Sequence, residues 1–462
     1  MSKNIYIYYE FYKREFLSNL LLSVVATKKN FKIYLGTNDI FRILHNKKLI
    51  SPGIFHTKSL THGDEKTNFH KNLKTDKFII TSIDQEHGVI DSGNFDDLFI
   101  KPRIHRNDLK ICSAYFCWGY FDYKNLKKKF KDKVFHLTGS PRVDLWKTKF
   151  DNLWKNNKFK KKYFLFVSNF TFPNNFYSFK EIMKRKEIEN YYKRSPKLKK
   201  EEIAYYDYQR KSMKKFIKLI INFSKKFPDE KIVVRPHPTE KIELWKKFLG
   251  NCKNVSIMPD GDLSRYIRSA KCVVQDGCTS AMESYISNVP VINFVPIKTN
   301  KHSFGQFIKQ ISINIDEEKK FFKIIKSKKY KILKKKKHLV NYRMIYLSKK
   351  LSASKIVDVW SNLFLSKISL KKNQEKFKNN NFKIFVYLFF FQNLRLIFTN
   401  LILFLKGKWF LKKLFEHKNQ KIDIYEIKRN IKEITKSLNI KNNVNVSKLG
   451  KDLIFINSNA KT

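Results

Sequence analysis

Three short segments carry residue types that could hold an anion or move a proton. Arg235-Pro236-His237-Pro238 places an imidazole between two prolines, which restrict the backbone on either side and aim the ring at little entropic cost. With the permanent cation of Arg235 beside it, His237 suits a phosphate or a departing oxyanion, although a packed turn histidine would look the same. Asp276-Gly277-Cys278-Thr279-Ser280-Ala281-Met282-Glu283 reads as a strand–turn–helix junction with hydroxyls on the first helical turn. Free N–H groups there attract anions, Thr279 and Ser280 can add donors, and Glu283 could accept from a ribose; simple capping by Thr279 and Glu283 is the plainer alternative. Asp84-Gln85-Glu86-His87-Gly88 offers carboxylates that could act as a general base, or could form a solvated acidic turn.

Other signatures are missing. The chain has no GxGxxG, GxxxxGK[ST], HExxH or GxSxG, which disfavours dinucleotide oxidoreductases, P-loop NTPases, zincins and serine hydrolases. Asp260-Gly261-Asp262 is a DxD, but Asp262 sits where a short helix would need an N-cap. His56, His62 and His70 lack ligand spacing and are expected at the surface. The five cysteines show no CxxC spacing, so neither a disulfide scaffold nor a zinc module is expected.

The three segments follow strand-like runs. In the first half, apolar runs at Ile5–Tyr9, Phe31–Leu35, Lys77–Ile83, Ser113–Cys117 and Val134–Leu137 alternate with helical patterns such as Arg14–Lys29 and Ile40–Leu49. The pattern restarts after about residue 160 with Tyr163–Val167, a polar insertion from 174 to 200, a helix over Tyr206–Lys226, and strands at 232–234, 255–258, 272–275 and 291–294. Strands separated by helix-length segments imply crossover connections and mostly parallel sheets, with ligands at the carboxyl ends of the strands. The expected fold is α/β, with lobes over 1–155 and 156–345 and a basic, mostly helical tail over 346–462.

The chain has 462 residues, with 96 Lys and Arg against 40 Asp and Glu, so its net charge is +56. Lysine is spread along the whole length, which is weak evidence for a specific nucleic-acid partner but favours contact with any polyanion, including an anionic membrane surface. Lys319–Lys337 holds eleven Lys and no acid, and reads as a solvated segment. Ile384–Leu405 is an apolar stretch of 22 residues interrupted by Gln392, Asn393, Arg395, Thr399 and Asn400. A polar stripe of this kind next to Lys406, Lys408, Lys412 and Lys413 fits a helix lying in the membrane interface better than a spanning or an ordinary buried one. The start of the chain has no signal-peptide pattern.

Together and in this order, His237-Pro238, Thr279-Ser280 and the acidic segment at 84–88 resemble those of bacterial surface-carbohydrate biosynthesis proteins. That group is similar to the capsule β-Kdo transferases, the bacterial polysialyltransferases and the CDP-glycerol glycerophosphotransferases. Thr138-Gly139-Ser140-Pro141-Arg142, with Asp144 after it, also looks like the end of the first lobe in this group. His87 separates Glu86 from Gly88, a departure from the acidic-acidic-Gly pattern that leaves the base open between Glu86 and Asp84. The resemblance covers about residues 1–300.

The resemblance implies a GT-B fold, in which two Rossmann-like lobes face a central cleft. It implies an inverting glycosyltransferase of surface polysaccharide biosynthesis that needs neither metal nor cofactor and uses a CMP-linked sugar. Arg235, His237, Pro238, Thr279, Ser280 and Glu283 would bind the donor. His237 and Glu86 or Asp84 would carry the chemistry, with Arg14 and Arg142 as further cleft contacts. The acceptor would be a glycan or glycolipid, and the enzyme would sit in the cytoplasm, peripheral to the inner face of the plasma membrane. The alternatives are a UDP-sugar transferase or glycerophosphotransferase of the same fold, a non-catalytic membrane protein, or a nucleic-acid binder.

Overall fold

The computed structural model describes residues 3–10, 12–85, 95–131, 134–154, 162–188, 190–194, 196–297, 306–331, 336–345, 350–368, 380–405 and 422–458. The chain divides into two units. One comprises Met1–Glu86, Ile104–Leu145 and Arg343–Thr462, and the other His87–Arg103 and Trp146–Tyr342.

The first unit is built on eight strands: β1 (Asn4–Tyr8), β2 (Lys32–Gly36), β3 (Ile54–Thr57), β4 (Ile79–Ile83), β5 (Cys112–Cys117), β6 (Phe135–Leu137), β13 (Val444–Gly450) and β14 (Leu453–Ser458). Their order is β13-β14-β2-β1-β3-β4-β5-β6. The six strands from the first 137 residues run parallel, while β14 pairs antiparallel with β2 and β13 antiparallel with β14. The strands are near-continuous apolar runs because parallel strands are covered on both faces. Tyr6, Tyr34, Phe41, Phe55 and Phe78 fill one side of this sheet.

The second unit holds β7 (Tyr163–Val167), β8 (Ile232–Arg235), β9 (Val255–Ile257), β10 (Ala270–Gln275), β11 (Val291–Phe294) and β12 (Ile313–Ile315). All neighbouring pairs are parallel, in the order β12-β11-β10-β7-β8-β9. Counted within the unit this is the 3-2-1-4-5-6 order of a Rossmann sheet. The helix Pro196–Lys226 packs Phe216, Ile220 and Phe223 on it. This helix starts ten residues before the sequence pattern suggests, inside the polar insertion.

The α/β class with two parallel sheets matches the sequence expectation, but several local expectations do not hold. His56 lies on β3 and is buried between Phe116 and Trp360, and His70 is buried against Asp108. Neither is a surface residue; β3 is too short and too polar in sequence to stand out. Lys319–Lys337 is not simply solvated: the helix Glu318–Lys326 turns Phe321 and Ile325 into the core, and Tyr330 is buried after it.

The tail is not only helical, since its β13–β14 hairpin extends the first sheet. The helix Ser352–Ile368 packs against the same unit, and Trp360 donates to the Thr81 hydroxyl at 3.1 Å. Asp144 caps this helix by accepting from the backbone N–H of Ser352 at 3.0 Å and of Ala353 at 2.9 Å. Gly139 has φ +78°, and a Cβ there would overlap the Ser352 hydroxyl. The Thr138–Asp144 segment is therefore the seat of the tail. Of the interrupted helix Asn381–Leu405, Ile384 and Leu388 are buried beside Leu449 and Leu453 of the hairpin. Among the described residues no helix is long and apolar enough to cross a membrane.

Candidate functional site

In an open parallel sheet the crevice for a ligand opens where the strand order reverses, outside the carboxyl ends. In the second unit that point lies between β7 and β10. The end of β8 is the neighbour of β7 on the other side, so the segments after β8 and β10 are two strand spacings apart, on the order of 10 Å. The His-Pro and Thr-Ser segments leave these two ends.

His237 is half-buried just past β8. Its Nδ1 lies 2.9 Å from the Thr239 hydroxyl and accepts from the Thr239 backbone N–H at 3.3 Å. A neutral ring held this way carries its proton on Nε2, which makes Nε2 a donor. The loop is held by Glu240, a fully buried residue that the sequence reading passes over. Its carboxylate accepts from the Ser168 hydroxyl (2.9 Å), the Phe170 N–H (2.8 Å) and the Trp245 indole (2.8 Å), and Ser168 accepts from the His237 N–H at 3.3 Å. Burial raises the Glu240 carboxyl above the usual range, against these hydrogen bonds, which lower it. Pro238 is exposed.

Arg235 is buried, and its guanidinium donates to the carbonyls of Met258 at 3.0 Å and Gly261 at 2.6 Å, with the Tyr266 ring 5.6 Å away. It thereby ties β8 to the Asp260–Asp262 turn. Asp262 occupies the N-cap position of the helix Leu263–Arg268 but makes no side-chain cap bond. Among the described residues no cluster of three or more His, Cys, Asp or Glu could hold a metal ion.

After β10, Gly277 turns the chain at φ +62°. Its N–H donates to the Asn293 side chain at 3.0 Å, and Asn293 also receives Gln275 at 3.1 Å. Thr279 stands at the start of the helix Ser280–Ile286 in helical geometry with no side-chain cap bond, so the plainer alternative of a simple Thr279 cap does not form. Ser280 is buried, and its hydroxyl has no hydrogen-bond partner among the described residues. Glu283 is buried one turn on and accepts from Ser264.

Asp276 lies 3.3 Å from the Tyr208 hydroxyl, and burial pushes its carboxyl up to about 7. Tyr205 and Tyr208 stack side by side, with ring centres 6.0 Å apart. Sequence patterning could not single out these tyrosines, because the stretch from 172 to 208 is rich in aromatics throughout.

In the first unit the order reverses between β1 and β3. Glu10 follows β1 and Lys58 follows β3. The Lys58 ammonium pairs with Glu10 and lies 3.6 Å from the fully buried Glu15, which accepts the Glu10 N–H at 2.8 Å. The sequence gives no signal for these three, because the charges are common residue types on separate elements. At the adjacent end of β4, the Gln85 N–H donates to the Lys58 carbonyl at 3.2 Å. Arg142 donates to the Gln85 carbonyl at 3.2 Å, and the Trp118 indole donates to the Asp84 carbonyl at 2.9 Å. Asp84 and Gln85 are buried, and the Gln85 side-chain oxygen has no hydrogen-bond partner among the described residues. Glu86 and the Arg14 side chain lie outside the described residues.

No family model matches this sequence, and no curated protein matches it. Similar solved structures include S. aureus MnaA with UDP, at 11% identity and TM-score 0.47, covering 82% of this chain and 100% of that one. The UDP-GlcNAc 2-epimerase of Methanocaldococcus jannaschii with UDP-GlcNAc and UDP has 13% identity and TM-score 0.47, covering 78% and 100%. A variant of the wall teichoic acid polymerase TagF soaked with CDPG has 11% identity and TM-score 0.47, covering 79% and 89%.

Proposed function

We propose that the protein is an inverting, metal-independent glycosyltransferase of surface polysaccharide biosynthesis with a GT-B fold, and that its donor is a CMP-linked sugar. The observation that carries this reading is the reversed strand order of the second unit, with a His237 Nε2 donor leaving β8 and the Thr279 and Ser280 hydroxyls following β10. Donors at that edge suit a phosphate, and the unpartnered Ser280 hydroxyl is one of them.

In the proposed reaction an acceptor hydroxyl oxygen attacks the anomeric carbon from the face opposite the nucleotide. The new C–O bond forms as the bond to the phosphate oxygen breaks, the configuration inverts, and CMP departs with the electron pair. Asp84 or Glu86 takes the hydroxyl proton. His237, Thr279 and Ser280 hold the charge that grows on the phosphate, which is the charge a metal would otherwise neutralise. Pro238 shapes the loop, Arg235 fixes its root and Glu283 faces the nucleoside. At the switch point of the first unit, Glu10 and Lys58 offer an acceptor and a donor to sugar hydroxyls, with Arg142 joined to this sheet end through Gln85 and Arg14 four residues from Glu10 in sequence. The acceptor is a glycan or glycolipid at the cytoplasmic face of the plasma membrane, to which the basic tail holds the enzyme.

The test is thermal unfolding of the full chain with CMP, CDP, UMP and UDP. The proposal expects the largest upward shift with CMP, since binding to the native state alone raises stability. Equal shifts with all four overturn the donor assignment.

A further inference from the structure

Over its described side chains, 381–394, the helix Asn381–Leu405 is bound to the first unit along one side. Tyr34 donates to the Asn381 side chain at 2.8 Å, Ile384 and Leu388 are fully buried, and Gln392 accepts from the Lys451 N–H at 2.8 Å. These four positions recur at the spacing of one helical face. Gly450 brings the hairpin against this face, with space for no side chain beside Leu388. Gln392, which in sequence belongs to a polar stripe fit for lipid headgroups, is thus spent on the protein.

Over the same described side chains the opposite side is exposed. Phe382 is 74% exposed, Phe389 55% and Phe390 61%, with Phe385 and Leu394 exposed beside them. At 100° per residue, Phe382, Phe385, Phe389 and Phe390 lie within about 140° of one another, centred opposite Ile384 and Leu388. They and Leu394 make up five of the fourteen exposed large apolar side chains among the described residues. An open apolar hollow of about 480 Å³ runs along the flank formed by Phe382, Val386, Tyr387, Phe390 and Leu394, with Lys383 at its edge.

We infer that this phenylalanine face is the surface that enters the bilayer, and that it docks on anionic lipid. The charge argues for this occupant. Residues 376–415 carry eight basic residues and no acidic one. A second copy would bring the same positive charge against itself, whereas an anionic leaflet supplies both the counter-charge and an apolar phase. The helix lies flat, its inner side fixed to the hairpin and its outer phenylalanines among the acyl chains. This rests on the membrane placement in the proposed function and assigns the residues that would achieve it; donor chemistry does not enter.

The test is sedimentation of the full chain with vesicles of phosphatidylcholine alone and of phosphatidylcholine with phosphatidylglycerol. It compares the native sequence with the triple variant Phe385→Ser, Phe389→Ser, Phe390→Ser. All three side chains are exposed, so the variant should keep the native melting temperature. We expect the native chain to partition into the anionic vesicles and the variant to lose at least about tenfold in partition. A Phe389→Trp reporter should shift its emission to the blue and be quenched by brominated acyl chains. Equal partition of native chain and variant overturns the face while leaving membrane binding intact. If the native chain fails to bind anionic vesicles, the membrane placement falls as well, while the nucleotide shifts stand apart. Loss of dimers in the variant, without any vesicle binding by the native chain, would assign the face to a second copy instead.

Discussion

Glu240 holds His237 twice, by its own N–H, which donates to the His237 carbonyl at 2.9 Å, and through the Ser168 hydroxyl. Ser168 donates to the Glu240 carboxylate at 2.9 Å and accepts from the His237 N–H at 3.3 Å, so a carboxylate with no exposure sets the backbone from which the imidazole projects. Three further groups, Phe170 N–H, the Trp245 indole and the Asn174 amide, point at the same two oxygens. Glu240→Ala would take the acceptor from the buried Phe170 N–H and Trp245 indole, while the Asn174 amide keeps the Lys241 carbonyl at 3.1 Å. A cost of about 2–4 kcal/mol is expected, read by urea unfolding. A loss under about 0.5 kcal/mol would show that the network does not hold this loop.

His237 itself is half-buried, and its ring Nδ1 is bonded within its own loop to Thr239. His237→Ala should therefore cost under about 1 kcal/mol of stability, the worth of an ordinary hydrogen bond. In the proposed reaction it removes a donor to the leaving group, for which a fall of about 100- to 1,000-fold in turnover is expected. CMP release from a CMP-sugar reads the effect, and turnover near the native rate would remove His237 from the chemistry.

Asp276 gives the fold a pH signature. Burial raises its carboxyl to about 7, beside Tyr208 at 3.3 Å. Between the ordinary carboxylate range and about 7 the folded chain keeps a proton that the unfolded chain has released. The stability contributed by Asp276 is therefore complete at low pH and is lost as pH rises to about 7. Asp276→Asn should remove that slope and be more stable than the native chain above pH 7, as thermal unfolding across pH would record. An unchanged slope would place the titration elsewhere.

At the first switch point, Lys58 stands between an exposed and a buried carboxylate. The Glu10 side chain is 37% exposed and that of Glu15 1%. Glu10→Gln should cost no more than about 1 kcal/mol, whereas Lys58→Met strands a buried charge and should cost about 3–5 kcal/mol. The two variants compared by urea unfolding test the order, and a reversed or equal ranking would refute it.

Asp144 and Gly139 seat the tail. Asp144→Ala removes two cap bonds to the helix Ser352–Ile368 and should cost about 1–2 kcal/mol. Gly139→Ala puts a Cβ where φ is +78° and the Ser352 hydroxyl already stands, so it should cost more than the cap. Melting temperatures of the two variants measure this, and a Gly139→Ala variant as stable as the native chain would contradict the packing.

Much of the parallel scaffold was legible because buried parallel strands are written as apolar runs. Ile5–Tyr9, Tyr163–Val167 and Val291–Phe294 needed nothing but their own composition. β3 was not legible, since Ile54-Phe55-His56-Thr57 is short and half polar. It is buried between β1 and β4, and its His56 is covered in part by Trp360, which is more than 300 residues away in the chain. The hairpin at 444–458 was missed for a similar reason: a strand at a sheet edge is made by the neighbour it finds, here β2.

The candidate site divides in the same way. His237, Thr279 and Ser280 stand out in sequence because prolines, hydroxyls and a glycine turn are local features. Glu240, Ser168, Glu10, Lys58 and Glu15 do not, because a buried carboxylate or a lysine held by two acids becomes special only through what surrounds it.

By itself the sequence determined the alternation of strand and helix and the motifs at the strand ends, since both follow from local residue patterns. Only the tertiary structure decided which strands are neighbours and where their order reverses. It also decided which face of the Asn381–Leu405 helix is left bare. Strand pairing, desolvation and charge pairing depend on distances between residues far apart in the chain, and no local spacing encodes them.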